Sequence, residues 1–352
     1  MKTLLVTGGA GFIGSNFVRY SRAHYPQTHL IVLDALTYAG NLSNIADLLS
    51  DTTDTRSGVE FIHASINDPV VVDAVMQRVD AVVHFAAESH NDRAIEQPTI
   101  FYETNVMGTL NLLQAAQKYG VRFHHISTDE VYGDTPLDST EKFTETSPYK
   151  PSSPYAASKA ASDHMVRAWV RTYGLRATIS NCSNNYGAYQ HIEKFIPRAV
   201  TNALSGLPMK LYGDGLAVRD WIHVDDQCSA IWAILERGKP GETYLVGADR
   251  ATSNIDVARM ISDTIDVERE HLQVIVDQEI PDVHITHVRN RLGADRRYAL
   301  NASKIQHELG WKPQKTDFAE ELKETIYWYA RHAAWWQSLK TEVEQAYARS
   351  GQ

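Results

Sequence analysis

Cysteine is scarce in this sequence: only Cys182 and Cys228 occur among its 352 residues. Two cysteines cannot provide the disulfide framework of a small secreted domain, and these two lack the paired spacing of a zinc site. The pattern therefore excludes the disulfide-rich and zinc-ribbon classes of protein. We expect both side chains to be buried thiols in a reducing compartment, which favours a soluble, cytoplasmic protein.

Long hydrophobic runs and an excess of basic residues are also missing. No stretch approaches the roughly 20 apolar residues that cross a bilayer, and the apolar run after Lys2 is too short for a signal peptide. The net charge of −9 comes from interspersed acidic and basic residues, without the basic stripe that binds nucleic acid. His284 and His287 are spaced like two metal ligands, but no matching ligands accompany them. We therefore expect no membrane, nucleic-acid or metal partner.

The order of the predicted elements indicates an α/β protein. Up to about residue 182, short apolar strands alternate with helices, which predicts a doubly wound parallel Rossmann sheet. Beyond that point the alternation weakens, and Gly206 and Pro208 predict a short hairpin region after one helix. We therefore predict a larger domain and a smaller, discontinuous one, formed respectively by residues 1–182 with about 219–250, and by residues 183–218 with about 251–348.

A glycine-rich loop follows the first predicted strand, residues 3–7. Gly8, Gly11 and Gly14 have the spacing G-x-x-G-x-x-G and lead into a helix. Glycines here let the backbone approach a pyrophosphate, and the N-terminus of the helix offers free N–H groups and the positive end of its dipole. The loop therefore predicts a dinucleotide-binding site. The alternative is a plain strand-turn-helix unit, because a glycine loop alone is a weak signal.

The end of the second predicted strand, residues 29–33, indicates which dinucleotide is bound. Asp34 follows 20 residues after Gly14, where a ribose 2′-hydroxyl requires an acceptor. An arginine just after this acid would suit the 2′-phosphate of NADP, but residues 35–38 supply none. NAD is therefore the expected cofactor. Four residues at later strand ends are expected near it: Ser65 and Ile66 beside the adenine, and the small Ala86 and Ala87 at a point of close approach.

A second helix start suggests the chemistry. Ser153 can cap a helix whose first residue is Pro154, which has no N–H to leave unpaired. Tyr155 and Lys159 lie four residues apart and share a face of that helix. An ammonium beside a phenol favours the phenolate, so we expect Lys159 to lower the pKa of Tyr155. Such a tyrosine can take a proton from a sugar hydroxyl while a nicotinamide takes the hydride; the alternative is one half-buried tyrosine and one solvated lysine.

Taken together, these stretches resemble the extended short-chain dehydrogenase/reductase superfamily from residue 1 to about 330. The resemblance rests on TGGAGFIG (7–14), DALTYAGNL (34–42), AAESHNDR (86–93), ISTDEVYG (126–133), YAASK (155–159), NCSNNYG (181–187), YGDGLAVRDWIHVDD (212–226) and DRRYALNASKIQHELGW (295–311). The Asp129–Glu130 pair after Thr128 is its most specific feature. It is typical of the nucleotide-sugar 4,6-dehydratases, and dTDP-glucose is then the expected substrate.

The resemblance implies a separate role for each catalytic residue. Tyr155, helped by Lys159 and Thr128, would remove the proton of the 4-hydroxyl. Glu130 would remove the C5 proton, and Asp129, kept protonated, would protonate the departing 6-hydroxyl. Two adjacent carboxylates push their pKa values apart, as an acid and a base side by side require.

The resemblance also implies which residues bind the two ligands. For NAD, in the larger domain, these are Gly8, Gly11, Phe12, Ile13, Gly14, Asp34, Leu36, Thr37, Ser65, Ile66, Ala86, Ala87, Ser89, Thr104, Tyr155, Lys159 and Asn185. For the nucleotide sugar they are Ser89, Thr128, Asp129, Glu130, Asn184, Lys194, Tyr212, Arg219, Asn254, Arg291 and Tyr298. Arg219, Asn254 and Arg291 would hold the diphosphate, with Tyr212 near the base. The chain departs from the family pattern at Ser65, Ala188, Leu292 and Ala294, and at Asn91, which replaces a valine.

Two other functions stay open. A nucleotide-sugar 4-epimerase or decarboxylase of the same superfamily would use the same tyrosine and NAD, but it has no task for the acid–base pair. A catalytically silent NAD-sensing protein would need none of the catalytic residues.

The predicted helices at 98–119 and 155–173 carry more apolar positions than one sheet face needs, and the resemblance implies that they pair across a two-fold axis. We therefore expect a homodimer.

Overall fold

Seven parallel strands form the central sheet of the molecule. A computed structural model describes residues 2–49 and 58–349. Its strands are β1 (Thr3–Thr7), β2 (His29–Asp34), β3 (Gly58–His63), β4 (Ala81–His84), β5 (Arg122–Thr128), β6 (Ala177–Cys182), β7 (Asn184–Tyr186), β8 (Met209–Tyr212), β9 (Val218–His223), β10 (Thr243–Val246), β11 (Ala251–Ser253) and β12 (Ile285–Val288). Its helices are α1 (Phe12–His24), α2 (Pro69–Met76), α3 (Asn91–Glu96), α4 (Pro98–Phe101), α5 (Thr109–Tyr119), α6 (Pro154–Tyr173), α7 (Phe195–Leu204), α8 (Val224–Arg237), α9 (Asn254–Val276), α10 (Ser303–Leu309), α11 (Phe318–Arg331) and α12 (Ala333–Arg349).

The order of strands across the central sheet is β3-β2-β1-β4-β5-β6-β10. All of its pairings are parallel, which confirms the predicted Rossmann sheet. The chain runs outward from β1 to β3 and then crosses to β4 on the other side of β1. Ligands bind at such a switch point, beyond the carboxyl ends of the strands.

Helices cover both faces of this sheet, because successive side chains of a strand point to opposite faces. Leu4 and Val6 of β1 pack in a cluster with Phe17 of α1 and Ile231 of α8. Leu5, between them, packs in a second cluster that includes residues of α2, α5 and α6. Strands buried on both faces read as continuous apolar runs rather than alternating ones, which explains the apolar character of β1.

A second hydrophobic core lies in the later part of the chain. Ile196 of α7, Ile261 of α9, Leu322 of α11 and Trp336 of α12 belong to this core, and all four are at most 1 % exposed. Two small sheets accompany it: β11-β9-β7, and β12 paired with β8. The helices and small sheets thus form a lobe whose segments are separate in the sequence.

Four details differ from the prediction. The expected hairpin after α7 is wrong, because β8 pairs in parallel with β12, which lies far along the chain. The predicted helix at 98–119 is continuous, but Tyr102–Gly108 is π-helical. The sequence predicts a helix at residues 251–266, but the observed helix starts later, at Asn254, and runs to Val276. For residues 41–58 the sequence predicts a helix and a polar loop, but residues 42–44 and 46–48 form 3₁₀ turns, and residues 50–57 lie outside the described residues.

The segment 219–250 divides between the two parts of the molecule. Its β10 forms the edge of the central sheet, next to β6, and its α8 packs on that sheet. Its β9, however, pairs with β7 and β11 in the small sheet. None of the described helices has the length and apolar character needed to cross a membrane.

Candidate active site

A cavity of about 430 Å³ opens beyond the carboxyl ends of β1, β2, β4 and β5. Its wall is formed by residues of the central sheet and of the second lobe, which meet here. The predicted residues that line it are Gly8, Gly11, Phe12, Ile13, Gly14, Asp34, Thr37, Ser65, Ile66, Ala86, Ala87, Ser89, Thr104, Thr128, Asp129, Glu130, Tyr155, Lys159, Asn184, Asn185, Lys194, Tyr212, Asn254 and Arg291. The fold therefore brings together residues that are up to about 280 positions apart in the sequence.

The glycine loop is shaped by contacts that leave no room for side chains. Gly8 has a φ of +69°, and a Cβ there would lie 2.6 Å from the backbone nitrogen of Ala86. A Cβ on Gly14 would lie 2.2 Å from the carbonyl oxygen of Gly8. The first turn of α1 is therefore pressed against the loop, and Gly11, which precedes it, caps it with no side chain. This arrangement fits a pyrophosphate on the N-terminus of α1.

Asp34 is fixed by the backbone around it. Its Oδ2 accepts a hydrogen bond from the N–H of Ala10 at 2.9 Å, and its Oδ1 accepts one from the N–H of Leu36 at 2.8 Å. Burial raises the pKa of this carboxyl, and the two N–H groups oppose that shift. The carboxyl lines the cavity beside the glycine loop, where a ribose hydroxyl can reach it. The site therefore fits an NAD ribose.

The predicted helix cap is confirmed, and it orients Tyr155 and Lys159. The Ser153 hydroxyl accepts a hydrogen bond from the N–H of Ala156, and Pro154 is the first helical residue. Both side chains line the cavity. Lys159 Nζ donates to the carbonyl oxygen of Ile126 at 2.7 Å, which ties α6 to β5.

The pKa of Tyr155 is shifted in the opposite direction from the prediction. It is raised well above its ordinary value, first by burial and then by the negative charge of Glu130. Burial also lowers the pKa of Lys159 to about 8. The expectation of a lowered tyrosine pKa is therefore wrong, because removal from water and a neighbouring negative charge both raise it.

Asp129 and Glu130 follow the end of β5 in a 3₁₀ turn that Thr128 caps. Asp129 is 2 % exposed, and its Oδ2 has no hydrogen-bond partner among the described residues. Burial, and then the charge of Glu130, raises its pKa well above the ordinary value. This shift favours the protonated form of Asp129, which is the form that a proton donor requires. Glu130 is held differently: its Oε2 accepts a hydrogen bond of 3.0 Å from Asn91 Nδ2.

Polar side chains of the second lobe complete the wall. Lys194 Nζ donates to the carbonyl oxygen of Ser89 at 3.1 Å. Arg291 lies 4.7 Å from the ring centroid of Tyr212 and 3.8 Å from Asp92, to which the Tyr212 hydroxyl donates at 2.9 Å. The side-chain carbonyl oxygens of three further lining residues are buried without a hydrogen-bond partner among the described residues: Asn184, Asn185 and Asn254.

Three predicted binding residues do not line the cavity. Leu36 has a φ of +49° and offers its N–H to Asp34. Arg219 donates to the carbonyl oxygens of Val218 and Asp295, both at 2.8 Å, and its guanidinium lies 4.3 Å from the ring centroid of Tyr298. The Tyr298 hydroxyl in turn donates to Asp295. Internal contacts therefore hold Arg219 and Tyr298 beside the cavity rather than in its wall.

Several lining residues were missed in the sequence. Examples are His90, Glu193, Arg198 and Tyr347. Tyr347 lies in α12, within residues 318–348, for which the sequence predicts only a tryptophan-rich amphipathic helix or a pair of helices. No local motif marks it, because its place in the wall depends on how α12 packs on α7. Within the parts of the chain that the structure describes, no group of three or more His, Cys, Asp or Glu could hold a metal ion.

Known proteins resemble this chain over almost its full length. The family model described as GDP-mannose 4,6 dehydratase matches residues 5–325. The dTDP-glucose 4,6-dehydratase of Mycobacterium tuberculosis strain H37Rv is 50% identical over 349 residues, which cover 99% of each chain. The dTDP-glucose 4,6-dehydratase 1 of Escherichia coli K12 is 45% identical, with 98% of this chain and 97% of that one covered.

Solved structures also resemble this chain over almost its full length. The dTDP-glucose 4,6-dehydratase DesIV of Streptomyces venezuelae, crystallised with NAD and TYD, is 46% identical, and the two folds superpose with a TM-score of 0.86 over 96% of this chain and 100% of that one. A UDP-glucose 4-epimerase of Thermotoga maritima, solved with UDP-glucose, is less similar: it is 28% identical, with a TM-score of 0.79 over 93% of this chain and 98% of that one. The similarity is therefore greater to the dehydratase than to this epimerase.

Proposed function

Because the chain belongs to the dTDP-glucose 4,6-dehydratases of the extended short-chain dehydrogenase/reductase superfamily, we propose how its cavity converts dTDP-glucose to dTDP-4-keto-6-deoxyglucose. The reaction oxidises C4, removes water across C5 and C6, and returns the hydride to C6. NAD is the cofactor and, when bound, supplies the reversible hydride acceptor. The observation that carries the proposal is the adjacent acid and base, Asp129 and Glu130, in one cavity with Tyr155.

Tyr155 takes the proton from the 4-hydroxyl. Burial disfavours the phenolate that must accept this proton, so the site must bring positive charge to Tyr155. Lys159, one helical turn away, is the chain's own source of that charge, and with a pKa of about 8 it is mostly protonated at neutral pH. Thr128, whose hydroxyl lies at the end of β5, orients the same sugar hydroxyl.

Glu130 and Asp129 perform the elimination. The 4-ketone acidifies the C5 hydrogen, which Glu130 removes as a proton. Asp129, whose protonated form is favoured by burial and by the charge of Glu130, gives its proton to the 6-hydroxyl, which leaves as water. A carboxylate and a protonated carboxyl group, side by side, thus act as base and acid in the same step.

Two substitutions separate the redox tyrosine from the acid–base pair. Tyr155→Phe should prevent oxidation at C4, so no NADH absorbance should appear when dTDP-glucose is added. Glu130→Gln should still allow that oxidation but stall before water is lost, so NADH absorbance should approach one per site. Both should reduce turnover by about 10²–10⁴-fold.

The outcome that contradicts these roles is equally definite: NADH accumulating in Tyr155→Phe, or none in Glu130→Gln. Wild-type protein incubated with dTDP-glucose and with UDP-glucose provides the control. Formation of the 4-keto product from dTDP-glucose tests the activity itself. A preference for UDP-glucose would contradict the nucleotide assignment.

We also propose a homodimer built on the helical segment 98–119 and on α6. The two pack against each other through Asn105 and Ser158, whose side chains are 2.8 Å apart. Tyr102 and Met107 of the first and Tyr173 of the second are large apolar residues that remain 41 %, 56 % and 52 % exposed. A second copy would cover them in an isologous interface. Light scattering at micromolar concentration should give twice the monomer mass; a monomer would contradict this.

The division into domains is proposed from the positions of the helices and strands, and the cellular location from the two cysteines. We propose an NAD-binding domain of residues 1–182 with about 219–250, supported by α8 and β10, and a nucleotide-sugar-binding domain of residues 183–218 with about 251–348.

A cytoplasmic location is supported by Cys182 and Cys228, which are both buried as free thiols. Protein labelled with a thiol reagent after unfolding should show two reactive cysteines without prior reduction.

A further inference from the structure

A fully buried aspartate lies one helical turn beyond the catalytic lysine. Asp163 follows Lys159 by four residues on α6, so the two side chains share a face of that helix. Asp163 is 0 % exposed and does not line the cavity. Any effect of this carboxylate on the reaction must therefore be transmitted through a neighbouring residue.

Four side chains surround the carboxylate, from the strands β5 and β6 and from the loop before α6. Its Oδ2 accepts hydrogen bonds from the Tyr149 hydroxyl at 2.7 Å, the Ser127 hydroxyl at 2.9 Å and Asn181 Nδ2 at 3.1 Å. Its Oδ1 lies 3.3 Å from His125 Nε2. Burial alone would raise the pKa of this carboxyl, but its neighbours, first of all His125, outweigh burial and lower it. The aspartate is therefore ionised in the folded protein.

Two cations flank Asp163 on α6, and they differ in burial. Arg167, one turn later, is half-buried and donates to the Tyr149 hydroxyl at 2.7 Å, so solvent screens part of its charge. Lys159, one turn earlier, is 4 % exposed. Burial lowers the pKa of Lys159, and the charge of Asp163 is the largest influence that opposes this shift.

The other titratable groups near Lys159 are neutral around pH 8. Burial raises the pKa of Tyr155, on α6, and it raises that of Cys182, on β6, to about 12. Burial lowers the pKa of His84, on β4, and it lowers that of His125, on β5, to about 4. Among the described residues that influence the lysine, the aspartate is therefore the ionised group that balances its charge.

We propose that Asp163 is a positioning residue that keeps Lys159 charged beside Tyr155 during the oxidation of C4. This rests on the proposed function, because it takes the partnership of the lysine and the tyrosine as given and adds the buried carboxylate on which that partnership depends. Asp163 exchanges no proton and touches neither ligand. Without its charge, the ammonium would lose its proton more readily, and the phenolate of Tyr155 would lose its stabilising cation.

Asp163→Asn, in the full-length protein with NAD bound, removes the charge and keeps the shape of the side chain. Its amide oxygen can accept the three hydrogen bonds, and its amide nitrogen can donate to the neutral ring of His125. Because the pKa of Lys159 is about 8, kcat/KM for dTDP-glucose should fall in wild type as pH rises through that value. In the variant this alkaline limb should move down by about one pH unit. The ratio of variant to wild-type kcat/KM should then be about fivefold below one at pH 8 and within about twofold of one at pH 6.

Tyr149→Phe is the matched control, because it removes a hydrogen bond from the same carboxylate but leaves the charge. Its alkaline limb should stay at the wild-type pH. Asp163→Glu retains the charge, so its limb should lie closer to wild type than that of Asp163→Asn. Asp163→Ser leaves room for water beside the four neighbours, and it should show the same shift if the asparagine variant does not fold, as judged by bound NAD and helical circular dichroism.

The Glu130→Gln background isolates the oxidation step. There the NADH absorbance that follows addition of dTDP-glucose reports oxidation at C4 without the titration of Glu130. The pH at which the rate of NADH formation falls to half should be about one unit lower when Asp163→Asn is added.

An alkaline limb at the wild-type pH in both charge-removing variants would overturn the proposal. So would a loss of activity that is the same at every pH, because Asp163 would then act only through the fold. A shift in Tyr149→Phe as large as that in Asp163→Asn would also overturn it. A wild-type protein that fails to convert dTDP-glucose would instead refute the proposed function, and the two failures are therefore distinguishable.

Discussion

The two ends of the cavity are built in different ways. The cofactor end is made mostly of backbone from neighbouring strands: the glycine loop after β1, and Asp34 at the end of β2, anchored by the N–H groups of Ala10 and Leu36. The substrate end is made of side chains from α3, β8, α12 and the loop that carries Arg291. The first is a local structure, whereas the second exists only when distant segments have packed.

This difference determines how each end responds to substitution. A backbone site tolerates almost no added atoms, because the chain cannot move without disturbing the sheet. A site of side chains loses one contact at a time, and each contact contributes a modest part of the binding free energy. Substitutions at the two ends should therefore differ in size and in kind, from complete loss to a few-fold effect.

The largest effect is expected at Gly14. In Gly14→Ala the new Cβ would lie 2.2 Å from the carbonyl oxygen of Gly8, so α1 must move away from the loop. We expect no NAD to remain with the purified protein, as measured by releasing bound nucleotide on denaturation. Gly120→Ala is the control: its φ is +66°, but a Cβ there meets no atom within 4 Å. It should cost stability of about 1 kcal/mol and keep the NAD. Equal NAD content in the two variants would contradict the claim that the close backbone contact at Gly14 is needed to bind NAD.

Between the two ends, Lys159 should have its main effect on turnover. Because burial lowers its pKa to about 8, the ammonium is present below that pH and is lost above it. We expect kcat/KM to fall as pH rises through about 8. Lys159→Met should reduce kcat by at least about 10²-fold and abolish this alkaline limb. An alkaline limb that persists in Lys159→Met would assign it to another group.

Local patterns in the sequence were sufficient to predict the cofactor end of the cavity. The glycine spacing, the acid at the end of β2, and the Ser153 cap with Pro154 depend on residues that are close in the chain, and each lies where it was expected. The Rossmann sheet followed from the alternation of apolar strands and helices. These features are encoded by geometry that a few consecutive residues determine.

Features that depend on packing were not predictable in this way. The pKa of Tyr155 moves upward because the fold removes it from water, and spacing on a helix carries no information about burial. The partner of β8 is β12, not an adjacent strand. Arg198 and Tyr347 enter the wall only because α12 packs on α7. The substrate end was therefore recognised partly by resemblance, which supplied residues but not their contacts.

The smallest effect is expected for Asn91, where the family pattern has valine. Its Nδ2 donates to Glu130 Oε2 at 3.0 Å, and its own Oδ1 is buried without a hydrogen-bond partner in the described structure. Asn91→Val removes one hydrogen bond to the carboxylate that abstracts the C5 proton, so kcat should fall roughly fivefold. The dTDP inhibition constant and the NAD content should not change, because neither ligand is bound through Glu130.

Where in the reaction this loss occurs is measurable. If Asn91 positions Glu130, removal of the C5 proton becomes slower in Asn91→Val, so NADH absorbance in the steady state should rise and substrate deuterated at C5 should react more slowly relative to unlabelled substrate. A merely structural role for Asn91 would lower kcat without either change. An unaltered kcat would mean that the substrate end tolerates the loss of a contact even beside its catalytic base, and the contrast between the two ends would then be sharper still.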